Sequence, residues 1–351
     1  MNSILLFANN ASGAVSNGIP FFKWLYWIFG YCMRLLMEVL DNKYFLAIVI
    51  FTIATRLLLL PLNIRQQKTM AKTTRLQPKI QKIQKKYNVQ GVTDARERQK
   101  MQQKQQMEIQ DLYSREGHNP MQMGCGPMLF QMVFLMGIIG IIYYPLPYVL
   151  GLSNFNDNAQ AISDVIMPIY QNLIGDPDAK VMYFQLNILE NFDAYRETLM
   201  TSFPDIFTAE KCDMISVYRD SMNLFGLDMT AVPHLKGNTQ GMIILIPILC
   251  LVTSLGSSVV SMIIQKKNNP AAQQQAQQMM LMMLMMPFFS FYISFKVTAA
   301  VGFYWIISNL VAILQQIFIF KQYPPRKTQA RLMIDNTIER RSREENVKKI
   351  K

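Results

Sequence analysis

The chain has 351 residues, of which 51% are apolar and only 17% charged, with a formal net charge of +12. Soluble domains carry about 25% charged residues, so this balance excludes an ordinary water-soluble globule. The apolar residues are also gathered into five runs, 44–62, 127–150, 241–264, 279–295 and 300–320, separated by strongly charged blocks. About 20 apolar residues rising 1.5 Å each cover the hydrocarbon core of a bilayer. The pattern predicts an all-α polytopic membrane protein with five spans, the fourth short and holding Pro287.

Residues 1–43 are expected to form an outer N-terminal segment. Residues 1–20 lack the basic start and long apolar stretch of a signal peptide, and IFGY before Cys32 does not resemble a lipoprotein cleavage site, so neither leader nor lipid anchor is expected. Residues 21–40 are rich in aromatics but interrupted by Lys23, Arg34 and Glu38. Arg34 and Glu38, four apart, share one helical face. An amphipathic helix lying at the outer interface fits these charges better than a sixth span.

The first span, 44–62, contains Arg56. A guanidinium inside a span costs about 2.5–3.5 kcal/mol even on translocon-insertion scales, and it cannot shed its charge. It therefore reads as a functional group facing a polar cavity, against the alternative that it snorkels to the near membrane face or sets orientation.

Residues 63–120 carry 13 Lys/Arg against 5 Asp/Glu, a net +8. Met70, Leu76, Ile80 and Ile83 make a sparse apolar seam, Pro78 predicts a kink, Asn88–Gly91 a turn, and Asp94 a cap for a second helix reaching Tyr113. This is a helical hairpin with arms of roughly 30 Å. Its positive face suits anionic lipid headgroups or ribosomal RNA, and both remain open. Residues 151–240 hold 12 Asp/Glu against 5 Lys/Arg, a net −7, and their apolar stretches Ala161–Ile174, Val181–Leu189 and Met214–Leu227 predict short helices forming a small cap. Its carboxylates are scattered without ligand spacing, which favours plain solvation over a cation site.

The link 265–278 adds two Lys and no acid, and the tail 321–351 has 10 Lys/Arg against 4 Asp/Glu. Short basic loops stay cytoplasmic, so the charges predict the N-terminus outside and the C-terminus inside, with Lys296 in the short outer turn a minor exception. The methionine run 279–286 opens the fourth span, either as lipid-facing bulk or as an adaptable surface.

Polar residues inside the spans recur at helical spacing. Thr52, Thr55 and Arg56 share a face of the first span, Ser254, Ser258, Ser261 and Gln265 a face of the third, and Trp305, Ser308, Asn309, Ala312, Gln315 and Gln316 a face of the fifth. Gln131 lies near the cytoplasmic end of the second. Close packing of small residues accounts for the serines but not for Arg56, Asn309, Gln315 and Gln316 together. No acidic residue lies in any span, so Arg56 calls for water, backbone carbonyls or an incoming anion. The stripes predict a wet cavity open to the cytoplasm. Cys32, Cys125, Cys212 and Cys250 have no metal or CxxC spacing, His118 and His234 stand apart from any metal motif, and no Walker loop, GxSxG or GxGxxG occurs in a fitting context. Neither an enzyme nor a cofactor or metal is expected.

TRLLLLPL, QQKTMAKTTRLQPKIQKIQKKY, NPMQMGCGPMLFQM and GFYWIISNLVAILQQIF, in this order, resemble the YidC-type membrane protein insertases of the Oxa/Alb superfamily over roughly residues 20–150 and 220–325. The resemblance implies a bacterial plasma-membrane insertase with a five-helix core, a cytoplasmic hairpin and a groove open to cytoplasm and lipid but closed outside. It places Arg56, Thr52 and Tyr304 in that groove beside the residues of the stripes. The implied partners are nascent membrane proteins, the ribosome through the basic tail and cytoplasmic loops, and anionic lipids, with the Sec translocon a candidate. The chain departs from the family in lacking the large outer domain and extra first span of Gram-negative members and the lipoprotein signal of many Gram-positive ones. Its outer loop is enlarged, and the stretch before GC is one residue longer. A small-anion transporter or channel using Arg56 is the rival; it calls for an inverted repeat and a polar path to the outer side.

Overall fold

The computed structural model describes residues 20–87, 95–115, 126–179, 181, 183–233, 242–268 and 285–324, with 330, 333–334, 337–338 and 341 of the tail; the side chains of 69–75, 77–78, 95, 126–131 and 265–268 are not described. The turn at 88–91, the Asp94 cap, His118, Cys125, His234, the loop 269–278 and most of the methionine run lie outside the described residues.

In chain order the helices are α1 (Lys23–Val39), α2 (Tyr44–Leu58), α3 (Leu60–Lys86), α4 (Ala95–Arg115), α5 (Gly126–Tyr143), the single turn α6 (Pro145–Tyr148), α7 (Ala159–Ile174), α8 (Phe184–Glu190), α9 (Phe192–Ser202) and α10 (Ala209–Ser221). A hairpin of β1 (Asn223–Leu224) and β2 (Leu227–Asp228) follows, then α11 (Leu245–Asn268), α12 (Met285–Ser294) and α13 (Ala299–Gln322). Among the described residues, Leu245–Ile264 and Ala299–Gln322 are long and apolar enough to cross a membrane. Tyr44–Leu58 with Leu60–Lys68 makes a third candidate, bent by 43° at the break between them. Pro61 explains the break: it has no N–H for the Leu57 carbonyl, and its ring crowds that oxygen. Met132–Tyr143 and Met285–Ser294 are apolar but shorter.

The chain divides into two units, Met1–Thr55 with Met132–Leu255 and Met286–Leu310, and Arg56–Gln131 with Gly256–Met285 and Val311–Lys351. In the first, α1 has two different apolar faces. Leu25, Tyr26, Phe29, Met33 and Met37 are buried, while Trp24, Trp27, Tyr31, Leu35 and Val39 stay exposed. The buried face meets α5 and α6 through glycines, since a Cβ on Gly140 would run into the Tyr26 ring and one on Gly30 into the Tyr148 carbonyl. Arg34 fastens the far end of α1 by donating from Nε to the Val149 carbonyl at 2.7 Å.

The short helices between 151 and 233 bury their apolar residues in the core shared by their unit. Phe155, Ile162, Ile166, Phe192, Tyr195, Leu199, Phe207, Cys212, Ile215 and Tyr218 are buried there. This body is tied to helix ends of its unit. The Tyr218 ring meets that of Tyr44 at 5.5 Å, the Tyr183 ring stacks on Tyr143 at 4.8 Å, and the Gln185 side-chain oxygen accepts from the Leu146 amide at 3.2 Å. The Met229 and Ala231 carbonyls accept the Ala300 and Ala299 amides at 2.9 Å each, capping the start of α13.

In the second unit, α3 and α4 lie together, with Leu76 and Ile80 of α3 buried. Lys86 pairs with Glu108 at 2.9 Å across the two helices. That contact holds the lysine above its ordinary pKa and the glutamate below its own, with hydrogen bonding the main cause. Lys68 of α3 lies over the Tyr323 ring, 5.3 Å from its centre.

Candidate functional site

α2 carries Thr52, Thr55 and Arg56. Thr52 is 1% exposed, and its hydroxyl donates to the Ile48 carbonyl at 2.7 Å; Thr55 donates to the Thr52 carbonyl at 2.9 Å. Both hydroxyls are thus satisfied along their own helix, a bond that removes their desolvation penalty in an apolar segment. The polar cost of α2 then falls on Arg56. This residue is half-buried in the last turn of α2 and engaged in an interaction of its own. The break before Pro61 ends the helix just after it, so Arg56 stands in the last turn of α2, where the negative end of a helix dipole lowers the cost of a cation. The sequence signal for that support is the short spacing from Arg56 to Pro61.

In the second unit the Gln315 amide nitrogen donates to the Arg56 backbone carbonyl at 3.4 Å, and Ser261 donates to the Gln316 side-chain oxygen at 2.8 Å. Ser258 is half-buried and engaged, and the Gln131 side chain lies outside the described residues. In the first unit Asn309 donates to the Thr253 hydroxyl at 3.3 Å, which itself donates to the Leu249 carbonyl at 2.8 Å. Tyr304 and Ser308 are buried and engaged, and Trp305 is half-buried. Hydrogen bonds thus join Asn309 to α11 in one unit, and Gln316 to α11 and Gln315 to α2 in the other.

Sequence reasoning missed two members. Thr253 lies one residue off the serine stripe of α11, on the phase shared with Ser257, which signals a second polar row. The other is the tight seam where the Cys250 thiol meets the Gly302 carbonyl at 3.1 Å. A Cβ on Gly302 would sit 2.5 Å from an Ile246 methyl, so glycine sets how closely these helices approach. Among the described residues no group of three or more His, Cys, Asp or Glu could hold a metal ion.

Long apolar helices carrying internal amide and hydroxyl pairs and one arginine define an α-helical membrane protein. A family model described as 60Kd inner membrane protein matches residues 35–327. Membrane protein insertase YidC 1 of Listeria monocytogenes is 31% identical over 202 residues, covering 48% of this chain and 67% of the relative. Membrane protein insertase MisCA of Bacillus subtilis is 32% identical over 200 residues, covering 47% and 72%. A YidC insertase of Oceanobacillus iheyensis is 45% identical over 94 residues, 27% of this chain and 34% of its own length. The chain belongs to the 60 kDa inner membrane protein family, that of the YidC-type membrane protein insertases.

Proposed function

We propose that this chain inserts nascent membrane proteins into the bacterial plasma membrane and assists their folding, through a hydrophilic groove open to cytoplasm and lipid. The observation that carries the reading is Arg56, a permanent cation in an apolar helix, at a proline break where a helix dipole supports it. The polar rows of α11 and α13 support it further, because membrane helices keep such groups where water or a polar chain can reach them. In this mechanism Arg56 attracts acidic residues in the polar tail of a client. The groove shortens the hydrocarbon path that tail must cross, and the client helix then passes into lipid. Transfer of about 20 apolar residues at several tenths of a kcal/mol each supplies the driving force.

The five spans run 44–62, 127–150, 241–264, 279–295 and 300–320, with the N-terminus outside and the C-terminus in the cytoplasm, as the basic loops direct. The basic hairpin and tail then face the ribosome and anionic headgroups, and the Sec translocon is a candidate partner. The groove is lined by Thr52, Thr55, Arg56, Gln131, Ser258, Ser261, Tyr304, Trp305, Ser308 and Asn309.

The test is insertion into membranes depleted of the native insertase, using paired clients with acidic and neutral tails, together with photocrosslinkers at Ser258 and Tyr304. Arg56→Ala should slow the acidic-tailed client selectively, and the crosslinkers should trap both clients. Labelling of lipid alone, or ion flux through purified protein in vesicles, would defeat the proposal, the latter in favour of a channel.

A further inference from the structure

The β1–β2 hairpin pairs Asn223 with Asp228 and Leu224 with Leu227, so its turn is Phe225–Gly226. Their φ angles are +52° and +81°. Two positive φ values in a two-residue loop define the mirror-image turn of tight hairpins, whose first position favours Asn, Asp or Gly. Phe is an outlier there because its Cβ crowds the backbone. The ring gains nothing from the protein in exchange, being 90% exposed, the most exposed of the large apolar side chains among the described residues. A strained conformation that holds an apolar ring in the open points to a partner for the ring.

The hairpin's attachment identifies that partner. Met222 and Met229 at its base are buried and joined by the Met229 amide donating to the Met222 carbonyl at 3.1 Å. The Met229 and Ala231 carbonyls accept the first amides of α13, the helix over Ala299–Gln322 long enough to cross a bilayer. From Met229 to Phe225 is four residues, at most about 13 Å of extended chain. The polar layer on each side of the hydrocarbon is about 5–8 Å deep, so the turn is within chain reach of the leaflet where α13 enters. α10, which packs on β1, is seated in the same way, with Tyr218 against Tyr44 at the start of α2, and it too exposes apolar residues, Met214 and Val217.

We propose that the Phe225–Gly226 turn is a membrane-interface anchor. The Phe225 ring enters the boundary between headgroups and acyl chains in the leaflet at the Ala299 end of α13 and holds the 151–233 body down on the bilayer. The exposed Asp220 carboxylate and the half-buried Asp228, which accepts from the Thr230 amide and hydroxyl, disfavour anionic headgroups, so apolar contact drives the insertion and zwitterionic lipid suffices. The proposal rests on α13 crossing the membrane and not on which side its ends face.

The experiment reconstitutes the full chain carrying Phe225→Trp in phosphatidylcholine vesicles with bromine on the acyl chains, either near the headgroup or near the tail end, and subtracts the emission of the unsubstituted protein. The added indole should emit at shorter wavelength than in water and lose more intensity to shallow bromine than to deep bromine. Emission at the water-exposed wavelength with no quenching at either depth would overturn the proposal. So would a blue shift without quenching, which would mean that protein covers the ring. Should the tryptophan variant fail to fold, Phe225→Cys on a background with Cys32→Ser and Cys125→Ser, carrying a nitroxide, reads the same depth from its relaxation by oxygen against a water-soluble nickel chelate. If α13 does not span the bilayer, single cysteines at the exposed Lys296 and Lys321 react with an impermeant maleimide from the same side of the vesicle whatever residue stands at 225, which separates that failure from failure of the anchor.

Discussion

Arg56 and Pro61 act as a pair although four residues lie between them. The proline ends α2, and the arginine gains from the helix terminus that results. Pro61→Ala should join α2 to α3 and straighten the break, which paired spin labels at Phe45 and Lys68 would report as a longer separation. Glycines impose a harder steric limit. Gly140→Val puts branched carbons where the Tyr26 ring lies, and overpacking of this kind costs about 1–3 kcal/mol. The variant should lower the thermal midpoint in detergent. Phe225→Asn should act in the opposite sense, because asparagine tolerates the left-handed region, with a gain on the order of 1 kcal/mol in detergent micelles.

At the scale of elements, the acidic body between α6 and α11 carries a pH dependence of its own. Glu190, at the end of α8, has its carboxyl raised above the ordinary value, first by desolvation and then by the neighbouring charge of Asp228. A raised carboxyl favours the protonated form in the folded state. Its contribution is therefore fully present below the unfolded carboxylate pKa and is lost as pH rises through the higher folded value. Glu190→Gln should accordingly raise the melting temperature at neutral pH and flatten its pH profile, as scanning fluorimetry across the acid to neutral range would show. The ion pair of α3 and α4 behaves differently. Lys86 and Glu108 are solvated and screened, so Glu108→Gln should leave the melting temperature unchanged at physiological salt. Those helices hold together through Leu76, Ile80 and their neighbours rather than through charge.

For the whole molecule, the decisive prediction concerns charge and shape at residue 56. If attraction of acidic clients is the role, Arg56→Lys should retain most insertion of an acidic-tailed client, and Arg56→Ala should lose most of it. If the fork of the guanidinium is what matters, lysine should fail as well, since it offers a point charge in place of a planar array of donors. Insertion kinetics in depleted membranes separate these outcomes.

The membrane class and the helical composition were legible in the order of residues, because a bilayer demands long apolar runs and internally satisfied backbones. The family was legible because its motifs keep their order and spacing. The polar rows of the spans were legible from helical phase, since 3.6 residues per turn fixes which residues share a face. Phase does not say which hydroxyl turns back onto its own carbonyl. Thr52 proved satisfied by Ile48, while Asn309 reached Thr253 on another helix. The break at Pro61 lay in view, but its effect on Arg56 needed the bent helix. The sequence by itself determined a polytopic helical protein with a costly cation in its first long helix. Only the tertiary structure decided that α13 starts under the carbonyls of Met229 and Ala231, and that a phenylalanine is held out at positive φ beside it. The first depends on hydrogen bonds between residues about 70 apart in the chain and the second on the register of a hairpin, neither of which hydrophobic periodicity encodes.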